Sequence, residues 1–512
     1  MRENGSMSTV TPARRLGGAR LAAMLGAPDT ARPAYSWLAE SIRQLIANGR
    51  VIHGTALPSE RQLVDALGLS RTTVSRAYAE LRDRGYASAH VGAGTIAQVP
   101  GGPVAGGGEP LPLGGFGPRG GTSGAYDDGG EPTAVDLTCA APSAPLGLAD
   151  VYQEALDELP AYINGMGYFP LGVPALREAV AADYTRRGVP TDPEQILVTS
   201  GALAGVAATA RLLLKPGAVA LAESPTYPNS VTSLRHHGVR VASVPIGSDG
   251  TDVDAVAGAL RSSGARAMLC LPDFHNPVGT LAPDEVRERW AGELKRAGAT
   301  GIVDETCARM WLDEEPDVLP MAAFSNDIVT IGSASKSHWG GLRLGWIRAP
   351  HALAGGLARM RMTLDLGAPV LDQLVLARLM ERGSGLAPET RERLRATRDA
   401  VLERTAELLP GWTARRPGGG LSLWFELPRP VSTALAAAAE RRGVLMAPGS
   451  AFAVEDHGLE HWMRVPFAQA GHELEWALPR IAQAWDDVVG GAPAGRPGSG
   501  RSGQRRSMST TV

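Results

Sequence analysis

The chain has 512 residues, of which 44% are hydrophobic and 20% are charged, and its net charge is −3 at pH 7. This size predicts two or more domains with a large core, and this charge excludes a protein that is basic over its whole surface. Cys139, Cys270 and Cys307 are few, odd in number and widely spaced, so we predict no disulfide framework. Neither a signal peptide nor an 18-residue apolar run is seen, and we expect a cytoplasmic protein without a membrane partner.

The first predicted unit spans residues 31–99 and follows a flexible segment, residues 1–30, with at most one short helix around residues 16–25. Apolar residues between positions 38 and 46 recur at helical spacing, which predicts a helix with one buried face. Structure is therefore expected to begin near Tyr35.

Two short helices joined by a tight turn are predicted between residues 57 and 86. Ser59 begins a capping box before the first helix, Gly68 ends that helix, and Ser70 can cap the second. This arrangement is the helix-turn-helix pattern. Residues 86–99 are typical of a short hairpin that would form a wing beside it.

The first turn of the second helix offers hydroxyl and guanidinium groups that suit phosphates and base edges in a major groove. Residues 32–99 contain eight arginines and five acidic residues, which favours DNA, although a helical hairpin with a solvated charged face has the same composition. The segments LPSER, LGLSRTTV and GAGT resemble the winged helix-turn-helix of the GntR family of transcription regulators. The resemblance implies a double-stranded DNA operator as partner. The predicted DNA-binding residues are Arg61, Ser70, Arg71, Thr72, Thr73, Ser75 and Gly92.

Residues 100–134 are rich in glycine and proline and are predicted to be a flexible linker. In the second unit, residues 135–489, short apolar runs alternate with amphipathic stretches, which predicts an α/β domain with a mostly parallel sheet. A small α+β region is expected after about residue 370, and residues 490–512 are expected to be disordered. Because so flexible a linker transmits no strain, a signal between the units should pass through direct contact.

The stretch 332–346 contains the most distinctive chemistry of the second unit. An apolar run leads to Ser333 and Ser335, Lys336 follows, and Arg343 comes seven residues later. A lysine amine condenses with an aldehyde, while hydroxyls and a guanidinium bind phosphate, so the stretch suits a phosphorylated aldehyde. Lys336 is one of only three lysines. Taken alone, the stretch fits equally well a surface lysine that follows a buried strand.

Four further turns follow predicted strands. Backbone amides at Gly201 and Ala202 would face a phosphate, and the ring of Tyr227 could stack on a planar heterocycle. Asn276 could donate to a ring oxygen, and Asp304 could keep a pyridinium nitrogen protonated. Each motif alone is more often ordinary turn chemistry. Their common position at strand ends favours the active edge of an α/β sheet.

From residue 162 onward the chain resembles the fold-type I aminotransferases that bind pyridoxal 5'-phosphate. The motifs that carry the likeness are YFPLGVPALR, SGA, PTYP, NPVG, SASK and RVPFA. The resemblance implies that Lys336 is the catalytic residue and binds the cofactor covalently, and that Asp304 pairs with the pyridine nitrogen. It also implies that Asn276 bonds the ring hydroxyl and Tyr227 stacks on the ring.

The same resemblance implies a phosphate site, a partner subunit and an effector site. The phosphate ligands would be Gly201, Ala202, Ser333, Ser335 and Arg343. Tyr168 would reach the phosphate of the other subunit in a homodimer, and Arg464 would bind the α-carboxylate of an amino acid. Many relatives carry a tyrosine where this chain has Thr306 or Cys307. Because that phenol stabilises the cofactor's phenolate, its loss weakens the case for efficient transamination more than the case for cofactor binding.

A GntR-type winged helix fused to an aminotransferase-like domain is similar to the MocR subfamily of regulators. This resemblance implies a transcription regulator that senses an amino acid or amine effector through pyridoxal phosphate. The alternatives are an active aminotransferase with an accessory DNA-binding domain, and a regulator whose large domain serves only for dimerisation. The intact set of Lys336, Asp304, Asn276 and Arg343 argues against the last.

Overall fold

The computed structural model describes residues 14–26, 28–29, 31–47, 51, 54–90, 94–100, 124–126, 132–455 and 457–490. The DNA contact predicted at Gly92, most of the predicted linker and the tail beyond residue 490 lie outside these ranges.

The N-terminal unit is a small helical fold completed by a four-stranded sheet. Its elements are β1 (Arg14–Arg15), α1 (Gly18–Leu25), α2 (Ala34–Ala47), β2 (Thr55–Ala56), α3 (Glu60–Leu67), α4 (Arg71–Asp83), β3 (Ala87–His90) and β4 (Gly94–Ala97). The strand order is β1-β2-β4-β3, and β3 and β4 form the predicted hairpin. Leu38, Ile42, Val74, Tyr78 and Leu81 are buried together in its core. The predicted helix-turn-helix and wing are both present.

The local signals that begin and end α3 and α4 act as the sequence indicates. Ser59 and Gln62 form a reciprocal capping box at α3. Gly68 ends α3 in the left-handed conformation, with φ of 66°. The hydroxyl of Ser70 accepts the backbone N–H of Thr73 at 3.1 Å and so caps α4.

The prediction of a flexible N-terminal segment is wrong for residues 14–25. Strand β1 pairs in parallel with β2, and Leu21 and Leu25 of α1 are buried in the core of the unit. The sequence predicts a short helix here but not that the helix is buried. Weak periodicity in a glycine- and arginine-rich segment does not show against which partner its two leucines pack.

The C-terminal unit begins inside the segment predicted as linker and is built around one large sheet. Its first elements are β5 (Gly124–Tyr126), β6 (Pro132–Asp136), α5 (Leu148–Glu158), α6 (Pro160–Ile163), α7 (Pro174–Arg186), β7 (Ile196–Thr199), α8 (Ala202–Leu213), β8 (Val219–Ser224), α9 (Pro228–His236), β9 (Arg240–Gly247), β10 (Gly250–Thr251), α10 (Val253–Ser263) and β11 (Ala267–Cys270). They continue with α11 (Asp284–Arg296), β12 (Thr300–Asp304), β13 (Ile328–Ser333), α12 (Ala334–Ser337), β14 (Gly345–Arg348), α13 (His351–Arg361) and α14 (Val370–Arg382).

The large sheet has the order β10-β9-β8-β11-β12-β13-β14-β7. Strands β9, β8, β11, β12 and β13 pair in parallel, whereas β14 runs antiparallel between β13 and β7. The predicted mostly parallel sheet is therefore confirmed. Because β7 has the same direction as β13, the carboxyl ends of β7, β8, β11, β12 and β13 all meet at one edge, where ligands bind in open α/β sheets.

A smaller α+β region completes the C-terminal unit. Its elements are α15 (Pro388–Leu408), β15 (Thr413–Ala414), β16 (Ser422–Glu426), α16 (Ser432–Glu440), β17 (Val444–Leu445), β18 (Ala447–Pro448), β19 (Trp462–Pro466) and α17 (Gly471–Gly490). They form a sheet of order β15-β16-β19-β18 and, with the early strands, a second sheet of order β17-β6-β5. Val135 and Leu137 are buried in the core of this region. The small region is thus not confined to residues after 370.

Within the described ranges, no helix combines the length and the apolar character that crossing a membrane requires.

Candidate functional site

Lys336 lies at the carboxyl edge of the large sheet, at the end of a fully buried strand. Strand β13 ends at Ser333, whose hydroxyl accepts the backbone N–H of Ser335 at 3.2 Å and so starts the single turn of α12. Lys336 lies on that turn, and its amine donates to the backbone carbonyl oxygen of Ala140. Burial lowers the pKa of Lys336, which brings the neutral, nucleophilic amine closer to physiological pH.

A cradle for an anion lies where β7 turns into α8. Gly201 has φ of 96°, and a Cβ built on it would lie 3.1 Å from Nη2 of Arg343. A Cβ on Gly345 of β14 would come within 2.7 Å of the backbone nitrogen of Ala202. Because neither position carries a Cβ, the Arg343 guanidinium can approach Gly201, and β14 can approach the first backbone amides of α8. An N-terminal helix turn beside a guanidinium suits a phosphate.

The groups predicted to face an aromatic ring lie at the ends of β8, β11 and β12. The hydroxyl of Tyr227 accepts a hydrogen bond from the Asn229 amide at 2.9 Å. Oδ1 of Asp304 accepts the backbone N–H of Thr306 at 2.8 Å, and burial raises the pKa of this carboxyl group. A pyridinium nitrogen beside Asp304 would favour its ionised form, since an opposite charge offsets the cost of burial.

Arg464 on β19 brings a buried cation to the same site. It is 3% exposed, its Nη2 donates to the carbonyl oxygen of Thr138, and its Nη1 lies 3.5 Å from Oδ1 of Asn276. Its Nε has no hydrogen-bond partner among the described residues. Burial lowers the pKa of Arg464 to about 10, so it stays charged at neutral pH. A buried guanidinium with a free donor suits a ligand carboxylate.

Residues 138–140 line the site and were missed in the sequence. The backbone carbonyl oxygen of Thr138 accepts a hydrogen bond from Arg464, and that of Ala140 accepts one from Lys336. The segment carries no motif, and only the pairing of β6 with β17 brings it here. Phe452 was also missed; its ring centre lies 4.8 Å from the guanidinium carbon of Arg464.

Thr306 and Cys307 put a hydroxyl and a thiol where the phenol is missing. The backbone N–H of Thr306 is used by Asp304. Burial and the nearby carboxylate raise the pKa of the Cys307 thiol to about 12, so it stays neutral at physiological pH. An amine, a buried carboxylate and an anion cradle on one sheet edge nevertheless fit a phosphorylated pyridine aldehyde.

Tyr168, like Arg343, is a predicted cofactor residue that this chain leaves exposed. Its side chain is 63% exposed, on the segment between α6 and α7.

Five of the predicted DNA-binding residues lie at the cap and first turns of α4, and Arg61 lies in the first turn of α3. Arg61, Arg71 and Thr72 are exposed, and Thr73 and Ser75 are partly exposed. The side chain of Arg71 is 86% exposed, with Nε 3.7 Å from Oε2 of Glu60. Ser70 is exposed but its hydroxyl is occupied as a helix cap. The side chains at the start of this helix are thus at least partly accessible to solvent.

Two protein families match this chain. Residues 148–479 match the model of aminotransferase class I and II, and residues 34–96 match the model of the bacterial regulatory proteins of the gntR family.

Known proteins of both kinds are similar to it. The uncharacterised HTH-type transcriptional regulator YisV of Bacillus subtilis (strain 168) is 29% identical over 83% of this chain and 90% of its own length. The arginine–pyruvate transaminase AruH of Pseudomonas aeruginosa is 31% identical over 67% of this chain and 88% of its own length.

Among solved structures, the α-aminoadipate aminotransferase LysN of Thermus thermophilus superimposes with a TM-score of 0.62 at 24% identity. The match covers 70% of this chain and 93% of that one. That crystal contains N-(5'-phosphopyridoxyl)-L-leucine.

Proposed function

Because the chain belongs to the aminotransferase class I and II family and carries a gntR-type regulatory domain before it, as MocR regulators do, we propose that it senses an amino compound to control transcription. The cofactor of this family is pyridoxal phosphate. The observation that supports the proposal is that Lys336 and Arg464 both donate to backbone carbonyl oxygens of residues 138–140, in a chain that also carries a gntR-type helix-turn-helix. We infer a cytoplasmic location, where the DNA target of such a regulator lies.

Pyridoxal phosphate, when bound, supplies an aldehyde that reacts with amines and a ring that accepts electron density. Lys336 would hold the aldehyde carbon, and burial favours its neutral form for that role. Asp304 would keep the proton on the pyridine nitrogen. Gly201, Ala202 and Arg343, with the hydroxyls of Ser333 and Ser335, would hold the phosphate.

An effector with an amino group and a carboxylate would fit between these groups. Its amine would compete with Lys336 for the aldehyde, and its carboxylate would pair with Arg464. Because Arg464 lies on β19 and its acceptor Thr138 follows β6, a ligand there would contact both sheets of the small region. Effector binding would thereby change the position of this region relative to the large sheet.

We also infer that the protein acts as a homodimer. Ile163, Met166 and Tyr168 are 65%, 90% and 63% exposed on one short stretch of chain. Apolar side chains so exposed mark an interaction surface. A second copy is the occupant that accounts for Tyr168, since the phosphate cradle of its own chain is formed by other residues.

Direct contact between the two units supports coupling of the effector site to DNA. On α2, Nη2 of Arg43 lies 3.5 Å from Oδ1 of Asp150, and the amide of Gln44 donates to its Oδ2 at 3.2 Å. The same helix reaches the end of α4 through Glu40, whose Oε2 accepts from Arg84 at 2.9 Å. Asp150, on α5, thus contacts the helix that supports the DNA-reading helix.

The proposal is tested by effector titrations with and without operator DNA, followed at the cofactor's visible absorbance. Coupling of about 1–3 kcal/mol, typical of allosteric proteins, would change effector affinity about 5- to 150-fold, and by reciprocity operator affinity would change by the same factor. Equal effector affinities in the two series would refute sensing. Asp150→Asn should reduce the coupling, while Asp157→Asn, on the exposed face of the same helix, should leave it intact.

The second candidate function is a working aminotransferase, which the joint presence of Lys336 and Asp304 favours. Turnover of an amino acid with 2-oxoglutarate tests it. Because Cys307 is a neutral thiol where a phenol would stand, we expect turnover to be slow. Fast turnover without any effect of operator DNA would make catalysis the main function.

A further inference from the structure

The two turns that present Tyr227 and Asn276 begin at residues that touch each other. Glu223, near the end of β8, precedes Tyr227 by four residues, and His275 directly precedes Asn276. We propose that Glu223 and His275 are positioning residues whose contact fixes these two turns against the cofactor ring. The proposal rests on the pyridoxal phosphate site and does not depend on effector sensing.

The contact is fully enclosed by protein. Glu223 is 0% exposed and His275 is 1% exposed, and Oε2 of Glu223 lies 3.7 Å from Nε2 of His275. The same carboxylate accepts the backbone N–H of Leu271 at 2.8 Å and the hydroxyl of Thr251. Glu223 therefore joins the end of β8 to the end of β11 and to β10, and His275 is the group that extends this junction into the next turn.

The backbone of His275 also makes the two hydrogen bonds that close its own turn. Its backbone N–H donates to the carbonyl oxygen of Thr280 at 2.8 Å, and its carbonyl oxygen accepts the N–H of Gly279 at 2.6 Å. Neither ring nitrogen has a hydrogen-bond partner within the described part of the chain. Because Asn276 follows directly in the chain, a ring held against Glu223 restrains the backbone from which the Asn276 side chain projects.

The hydrogen bonds to Thr251 and Leu271 give Glu223 a structural role, but they do not explain why an imidazole lies against its carboxyl group. Neutral apolar side chains would fill a buried position between strands without the desolvation cost that a carboxylate brings. The pair instead places one titratable carboxyl group between the turns, against a neutral imidazole. The ionisable groups that the described residues place against Glu223 are His275 and, on β11, the thiol of Cys270.

The charge of the pair changes near neutrality. Burial raises the pKa of Glu223 to about 7 and lowers that of His275 to about 3, so the histidine stays neutral while the carboxyl group ionises. At 3.7 Å the attraction between the Glu223 oxygens and an imidazole N–H is electrostatic, and it is stronger for a carboxylate than for a neutral carboxyl group. The contact should thus be tighter above pH 7 than below it.

The test measures the dissociation constant of pyridoxal phosphate from the apoprotein by tryptophan fluorescence at pH 6, 7 and 8. Glu223→Met and His275→Leu should each weaken binding about tenfold, and the double variant should be no weaker than either, because both changes break one contact. Glu223→Gln, which keeps the size of the side chain and its contact with the imidazole, should restore most of the affinity. The ratio of its dissociation constant to that of the wild type should rise from pH 6 to pH 8, whereas Glu473→Gln, a buried carboxylate at the start of α17, should show a constant ratio.

Unchanged cofactor affinity in folded Glu223→Met, or strictly additive losses, would overturn the positioning role. If the methionine variant does not fold, a pH-independent ratio for Glu223→Gln overturns it instead. A wild-type protein that binds no pyridoxal phosphate would overturn the cofactor site as well, and so the two failures are distinguishable.

Discussion

Glu223 should make the stability of this protein depend on pH in the direction opposite to most carboxylates. Burial raises its pKa in the folded protein from the ordinary 4.5 to about 7. The folded state therefore holds its proton more tightly than the unfolded state, and the resulting stability is fully present below pH 4.5 and is lost as pH rises through 7.

The magnitude follows from this difference in pKa. A difference of about 2.5 units is worth about 3 kcal/mol in total, of which about 2–3 kcal/mol is lost between pH 5 and pH 8. Glu223→Gln removes the titration and keeps the local hydrogen bonds, since its amide can accept from Leu271 and donate to Thr251. The variant should therefore be more stable than the wild type at pH 8 and nearly equal to it at pH 5.

Urea unfolding of the cofactor-free protein at pH 5, 6, 7 and 8, followed by near-ultraviolet circular dichroism, measures this effect. The free energies of unfolding of wild type and variant should diverge as pH rises. Glu473→Gln controls for the loss of a buried carboxylate elsewhere. Parallel profiles for the wild type and Glu223→Gln would show that Glu223 is already ionised at pH 5, and the reasoning from burial would fail.

Three further outcomes are expected. Lys336→Ala should lose the visible absorbance of the bound cofactor yet keep its unfolding transition, because one partly buried side chain adds little to so large a core; retained absorbance would point to Lys215 or Lys295. Arg71→Ala should weaken operator binding by about 1–3 kcal/mol in a gel-shift titration if it reads a base, with cofactor content unchanged and Arg359→Ala on the C-terminal unit as control. Arg464→Lys should lower the affinity for amino acids more than for amines without a carboxylate, and equal losses for both would remove Arg464 from the effector site.

Much of the site was predictable because its signals are local. The caps at Ser59 and Ser70, the left-handed Gly68 and the small residues before Lys336 act through hydrogen bonds or steric limits that span a few residues. The alternation of apolar runs and amphipathic stretches reports a parallel sheet, and that sheet brings its strand ends to one edge.

What depends on distant pairing could not be predicted. Strand β6 joins β17, and this pairing delivers residues 138–140 to Lys336, which is 196 positions from Ala140 in the chain. Glu223 and His275 meet only because β8 and β11 are neighbours in the sheet, and Asp150 contacts α2 only because the two units touch. Residue periodicity shows which face of an element is buried but not what covers it. The sequence by itself thus determined the chemical groups of this protein, and the tertiary structure decided which of them share a site, since contacts between distant residues form only when the whole chain closes.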